Sequence, residues 1–162
     1  MENDSDPIVW RGPLLGGLIK QFYEDVLWEE LDYLLIDMPP GTGDVALTIF
    51  QQLPVDDLII VTSPQDLVSL IVTKALKMAN MMNIKVLGVV ENMSYLVCPD
   101  CGKRINVFGD SHLEEFAKDM KFDILAKLPL VSENTVLVDN GKVEQVVLNE
   151  ILPVVEAIKK EK

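Results

Sequence analysis

The sequence predicts an α/β fold with a mainly parallel sheet flanked by helices, and three observations carry that expectation. Short apolar runs alternate with helix-periodic segments along the chain. The central runs "DLIIVT" and "IKVLGVV" are continuous rather than alternating, as strands buried on both faces are. No internal repeat and no low-complexity tract breaks the pattern.

Taken in order, residues 1–7 read as a flexible lead-in, and 8–162 as one domain's worth of chain. A helical stripe follows in "LLGGLIKQFYEDVLWEEL", through Leu15, Leu18, Ile19, Phe22, Tyr23, Val26 and Leu27. "DYLLID" reads as a buried strand that stops at "MPPGTGD", because paired prolines cannot continue a ladder. Asp44 is expected to cap the next helix, "VALTIFQQL". "DLIIVT" is a second strand, and Asp66 is expected to cap a long helix through about Asn83. "IKVLGVV" is a third strand running into "ENMSYLVCPDCGKRINVFG", expected to be an irregular excursion. "SHLEEFAKDM" carries Glu114 three residues after Ser111, a capping-box pattern. "FDILAKL" alternates more, which places it at an edge of the sheet. Asp139-Asn140-Gly141 marks a turn, and Pro153 should kink or restart a last helix from about Val143.

Composition narrows the function classes. The net charge of −12 argues against nucleic acid, which requires a concentrated basic face. No stretch approaches the ~18 uninterrupted apolar residues of a membrane helix, and "MENDSDPIVW" lacks the basic and apolar regions of a signal peptide. A cytoplasmic protein with no membrane partner is expected. The 49% hydrophobic content points to surface buried against another copy of the chain.

Both cysteines, Cys98 and Cys101, stand in "CPDCGK". Two thiolates at this spacing, with proline between and glycine after, form a knuckle that points both sulfurs at one ion. A redox dithiol or two unrelated reduced cysteines are the competing readings. A tetrahedral thiolate site needs four sulfurs, so a metal here requires a second pair. Twofold symmetry in a homodimer supplies it, for zinc or for an iron–sulfur cluster. At "DMPPGTGD", Asp37 ends a strand, Gly41 and Gly43 free the backbone to approach an anion, and a helix N-terminus follows. The alternative is a tight turn before a capped helix. Asn92 suits either a purine edge or a turn, and His112 reads as an exposed helix-start residue. The P-loop signature G-x-x-x-x-G-K-S/T does not occur, since Gly102-Lys103 and Gly141-Lys142 are followed by Arg104 and Val143.

The series "WRGP", "LDYLLIDMPPGTGDVALT", "VTSPQD", "VENMSYLVCPDCG" and "VFG" resembles the Mrp/ApbC-type ATP-binding iron–sulfur cluster carriers. These belong to the deviant-P-loop group that includes MinD and nitrogenase iron protein. The resemblance implies that Asp37, Pro39, Pro40 and Gly41 match the switch segment sensing the γ-phosphate and its Mg. It implies that Asn92 recognises adenine while Pro129 and Leu130 pack on the base. It implies that Cys98 and Cys101, in a metal loop at 92–108, bridge a [4Fe–4S] cluster across a homodimer that serves apo iron–sulfur proteins. Family members carry a P-loop strand and helix ahead of "WRGP", so this sequence corresponds to their carboxyl-terminal portion and is expected not to hydrolyse ATP alone. A zinc-bridged dimeric module without ATPase activity and a MinD-like regulatory ATPase are the alternatives.

Overall fold

The computed structural model describes residues 12–65 and 68–160, so the lead-in and Asp66 lie outside the described residues. By its contacts the chain divides into two units, Met1–Asp56 and Asp57–Lys162. Among the described residues, no helix is long and apolar enough to cross a membrane.

The first unit holds helices α1 (Gly12–Glu24) and α2 (Asp44–Gln52). The apolar stripe expected to extend α1 to Leu31 stops earlier. Acidic Glu24 and Asp25 stand at the negative end of the helix dipole, whose last turn carries no basic residue; Lys20, one turn back, pairs with Glu24 at 3.7 Å. The Trp28 indole N–H folds back to donate to the Tyr23 carbonyl at 3.2 Å, satisfying one of the orphaned acceptors of the last turn. At α2 the cap is Gly43 rather than Asp44: the Gly43 carbonyl accepts the first helical bond, from Leu47 N–H at 3.1 Å. Asp44 lies one residue inside, where its charge still complements the dipole.

Residues 32–37 correct the expectation of a buried strand. They form none, and Leu35 is 79% exposed. A strand exists only within a ladder, and every ladder of the described sheet joins elements of the second unit.

The second unit is a four-stranded sheet with helices on both faces. Strand β2 (Lys85–Val97) pairs in parallel with β1 (Asp57–Thr62) on one side and with β4 (Ile124–Pro129) on the other. The two-residue β3 (Arg104–Ile105) returns antiparallel to its far end. The sheet is therefore mainly parallel, and β4 lies at an edge as its alternation suggested. The excursion after "IKVLGVV" is more regular than expected. β2 continues through "ENMSYLV" because its far end finds β4 and β3 as partners.

Side-chain alternation along β2 divides the core in two. Val89 packs with Ile60, with Val72 and Leu76 of α3 (Val68–Met81), and with Leu113 at the start of α4 (Leu113–Met120). Val90 faces the other way, onto Ala126, Leu128 and Val154 of α6 (Leu152–Lys160). The sheet is thus covered on both sides, as a parallel sheet requires. Asn83, with φ of 56°, closes α3: its N–H reaches the Asn80 carbonyl, and Ile84 N–H reaches Ala79. The last helix begins at Leu152 rather than near Val143, where the chain forms only short 3-10 turns at Val143–Gln145 and Asn149–Ile151. Pro153 is its second residue, where a missing N–H costs nothing. Between β4 and α6 lies a helix the sequence reading did not anticipate, α5 (Ser132–Asp139), ended by Gly141 with φ of 68° at the expected turn.

β2 is broken by bulges. Leu87 is extra against β1 and Leu125 is extra on β4, and the two irregularities meet at Gly88. A Cβ there would lie 2.6 Å from the Asp123 carbonyl oxygen and 2.7 Å from Leu125 Cγ. Gly88→Ala therefore forces β2 and β4 apart and should cost about 1–3 kcal/mol, like other overpacked cores. The measurement is the urea midpoint, with Gly17→Ala, which adds a methyl where nothing lies within 4 Å, as the tolerated contrast.

Candidate functional site

The cysteines sit at the tip of the β2–β3 hairpin. Val97 pairs with Arg104, and the Cys98 N–H donates to the Lys103 carbonyl at 2.9 Å to close the loop. The Gly102 N–H bonds back to the Cys98 carbonyl at 2.9 Å, with Gly102 at φ of 69°, a conformation glycine adopts without strain. The turn curls the chain around the Cys98 sulfur. Hydrogen bonds from the backbone N–H groups of Cys101 and Asp100, and from the Cys101 side chain, hold the Cys98 pKa below that of an ordinary thiol. Both cysteines are free, Cys101 exposed and Cys98 partly so. Among the described residues, no three His, Cys, Asp or Glu side chains converge on one point to hold a metal ion.

The root of the hairpin is polar and tied. Glu91 is 1% exposed, an unusual place for a carboxylate. The hydroxyls of Ser94 and Ser111 both donate to it. Lys127 Nζ lies 3.8 Å from its carboxylate and 3.0 Å from that of Glu114, which holds the Glu114 pKa below the usual carboxylate range. Arg104 lies over the Tyr95 ring, 4.3 Å from its centroid. Beside these groups a cavity of about 590 Å³ opens, lined in part by Tyr95, Arg104, Ser111, Lys127 and Glu150.

Asn92 lies in the bulge between Glu91, which pairs with Lys127, and Tyr95, which pairs with Pro129. Its side-chain oxygen accepts from the next N–H, Met93, at 2.9 Å, and Met93 takes φ of 55°. Leu130 N–H donates to the Tyr95 carbonyl at 2.7 Å. Asn92 thus lies in a bulge within β2, Pro129 ends the neighbouring β4 and Leu130 follows it, and Cys98 is the first residue past the end of β2. Asp37, Pro39, Pro40 and Gly41 lie in irregular, exposed backbone of the first unit, Gly41 with φ of 95°. His112 directly precedes α4 and is exposed, as expected, 3.7 Å from Glu115. Ser111 does not form the expected box with Glu114. Its oxygen accepts from Leu113 N–H at 3.2 Å while its hydroxyl turns to Glu91.

Glu91, Lys127 and the Arg104–Tyr95 pair escaped the sequence reading. The signal for Glu91 was present: a charge closing a continuous apolar run, with a serine three residues on, is a charge that must be satisfied internally. Its partners Ser111 and Lys127 are remote in sequence, so nothing local named them.

The family profile described as ParA, NUBPL iron-transfer P-loop NTPase, matches residues 1–160. An "iron-sulfur cluster carrier protein" of Clostridium perfringens is 48% identical over 91% of this chain and 51% of its own length. One from Methanocaldococcus jannaschii is 49% identical over 80% of this chain and 45% of its own. The chain thus spans about half the length of the curated relatives it matches. A solved nucleotide-binding protein from Archaeoglobus fulgidus, in complex with ADP, is 44% identical with a TM-score of 0.75, covering 82% of this chain and 54% of that one. The cell division ATPase MinD of Pyrococcus furiosus shares the fold at 18% identity and a TM-score of 0.61, over 94% of this chain and 60% of that one.

The hydrogen bonds to Cys98 favour its thiolate, so folding lowers its pKa, and their contribution fades as pH falls through that lowered value. In a Cys101→Ser variant, which keeps the backbone donors, the pH–rate profile of Cys98 alkylation should have its midpoint below that of an ordinary thiol. In urea the midpoint should return to the ordinary value. An identical midpoint in both states would refute the hairpin's effect.

Proposed function

We propose, because this chain belongs to the NUBPL iron-transfer P-loop NTPase family, that it carries an iron–sulfur cluster as cargo on Cys98 and Cys101 and delivers it to apo-proteins in the cytoplasm. The observation that carries this reading is the hairpin itself: both cysteines of the chain at one exposed tip, one of them biased toward the thiolate that binds iron. Two sulfurs fill half of a four-thiolate site. A homodimer related by a twofold axis through the tip completes a [4Fe–4S] site.

Transfer is a ligand exchange in which no electrons move. An acceptor thiol releases its proton to solvent and binds iron as a carrier thiolate leaves, so each iron keeps its coordination number. The donors to Cys98 stabilise the departing thiolate and make it a better leaving group. An exposed tip lets acceptor sulfur approach without unfolding the carrier.

In this reading Asn92, Pro129 and Leu130 of the second unit are residues for a nucleotide base, and Asp37, Pro39, Pro40 and Gly41 of the first unit are, taken by themselves, a segment that senses a γ-phosphate and Mg. The ADP complex of the Archaeoglobus fulgidus relative supports nucleotide binding. Asn92, Pro129 and Leu130 fit the role in that the bulge holding Asn92 lies on the strand that pairs with β4 up to Pro129.

The test is anaerobic reconstitution with iron and sulfide, followed by metal and sulfide analysis. Wild type should hold one [4Fe–4S] cluster per two chains, and Cys98→Ser/Cys101→Ser should hold none. Zinc at one ion per two chains, with no cluster, would replace the carrier reading with a structural bridge.

A further inference from the structure

We propose that Glu91 is a positioning residue for the cysteine hairpin, one buried carboxylate that ties down both roots of the loop carrying Cys98 and Cys101. Ser94 stands in β2 before the hairpin and Ser111 just before α4 on the returning chain, and both hydroxyls donate to this carboxylate, one to each oxygen. Ser111 also accepts from Leu113 N–H, so the returning root is fixed to the start of α4. Lys127 ties the same carboxylate to β4. Between the two roots stand the knuckle and Arg104, laid on the Tyr95 ring.

Stability alone does not explain a carboxylate here. A side chain 1% exposed is more cheaply apolar, and replacing a buried ion pair by packed apolar groups is often neutral or stabilising. What an apolar residue cannot supply is direction. Two hydroxyls meeting the two oxygens of one planar carboxylate fix the distance between the places where the loop departs and returns. The span between roots sets where the tip sits. The bulge that brings Ser94 to Glu91 also contains Asn92, so one carboxylate orders the loop and the exposed amide together.

The consequence for cargo rests on the cluster reading above, but the ordering of the hairpin does not. A Glu91→Ala chain, left with Lys127 beside a void, is a poor probe because it risks not folding. Ser94→Ala/Ser111→Ala removes the two donors and leaves the carboxylate paired with Lys127. Glu91→Gln keeps a side chain that accepts from one serine and donates to the other.

In the full chain, amide exchange of residues 96–106 should quicken about tenfold or more in the double serine variant, the scale of losing such hydrogen bonds. Exchange in α3 and β1 should stay as in wild type, and Glu91→Gln should keep most of the hairpin's protection. Cobalt(II), used as a probe of the thiolates, should bind the double variant more weakly than wild type. Hairpin exchange equal to wild type, or exchange rising equally across the chain, would overturn the proposal. If wild type takes up no cluster but the exchange pattern holds, the carrier reading falls and the positioning role stands.

Discussion

Every ladder in the sheet passes through β2. Remove it, and β1, β3 and β4 have no partner among the described residues. The strand carries Val89 and Val90 into the two halves of the core, then Glu91, the bulge with Asn92 and Tyr95, and leads directly into Cys98, the first residue past its end. Core, polar network and cysteine tip are therefore successive stations on one piece of backbone. Its bulges are the condition for this. They turn side chains out of the strict two-residue alternation of a flat strand and let an apolar strand become polar within a few residues. Gly88 permits the closest approach, where two bulges meet.

The tip uses a different physical device. A hairpin of two paired residues has little burial to stabilise it, so its order comes from hydrogen bonds and from its anchors. Backbone donors gather at one sulfur and make it acidic. That combination suits a group that must bind a metal firmly and still let it go. A deeply buried thiolate would bind, but could not be reached.

How much of this was legible depends on whether the cause was local. α3, β1 and the existence of α4 were readable because hydrophobic periodicity acts over a few residues, whereas the start of α6 fell nine residues later than the pattern near Val143 suggested. The cysteine spacing was readable for the same reason, and the family match bears out the resemblance drawn from "DMPPGTGD" and "CPDCG". "DYLLID" misled because composition states that a segment can be a strand, and only pairing makes it one. α5 was missed because "SENTVLVD" is weakly amphipathic, with none of its side chains buried. Glu91 was missed because a serine and a lysine far along the chain define its role.

The exposed run from Leu31 to Ile36 has a colloidal consequence. It combines strand-prone apolar side chains with backbone that joins no described ladder, the kind of segment that pairs with its own copies. Asp32 and Asp37 stand within and at the end of it as gatekeepers, and the net charge of −12 keeps whole molecules apart. That protection is electrostatic and therefore conditional. Its range shrinks to about 10 Å at 0.1 M salt, and its source vanishes near the isoelectric point of about 4.4. Charge repulsion between copies is therefore strongest in dilute buffer well above that pH.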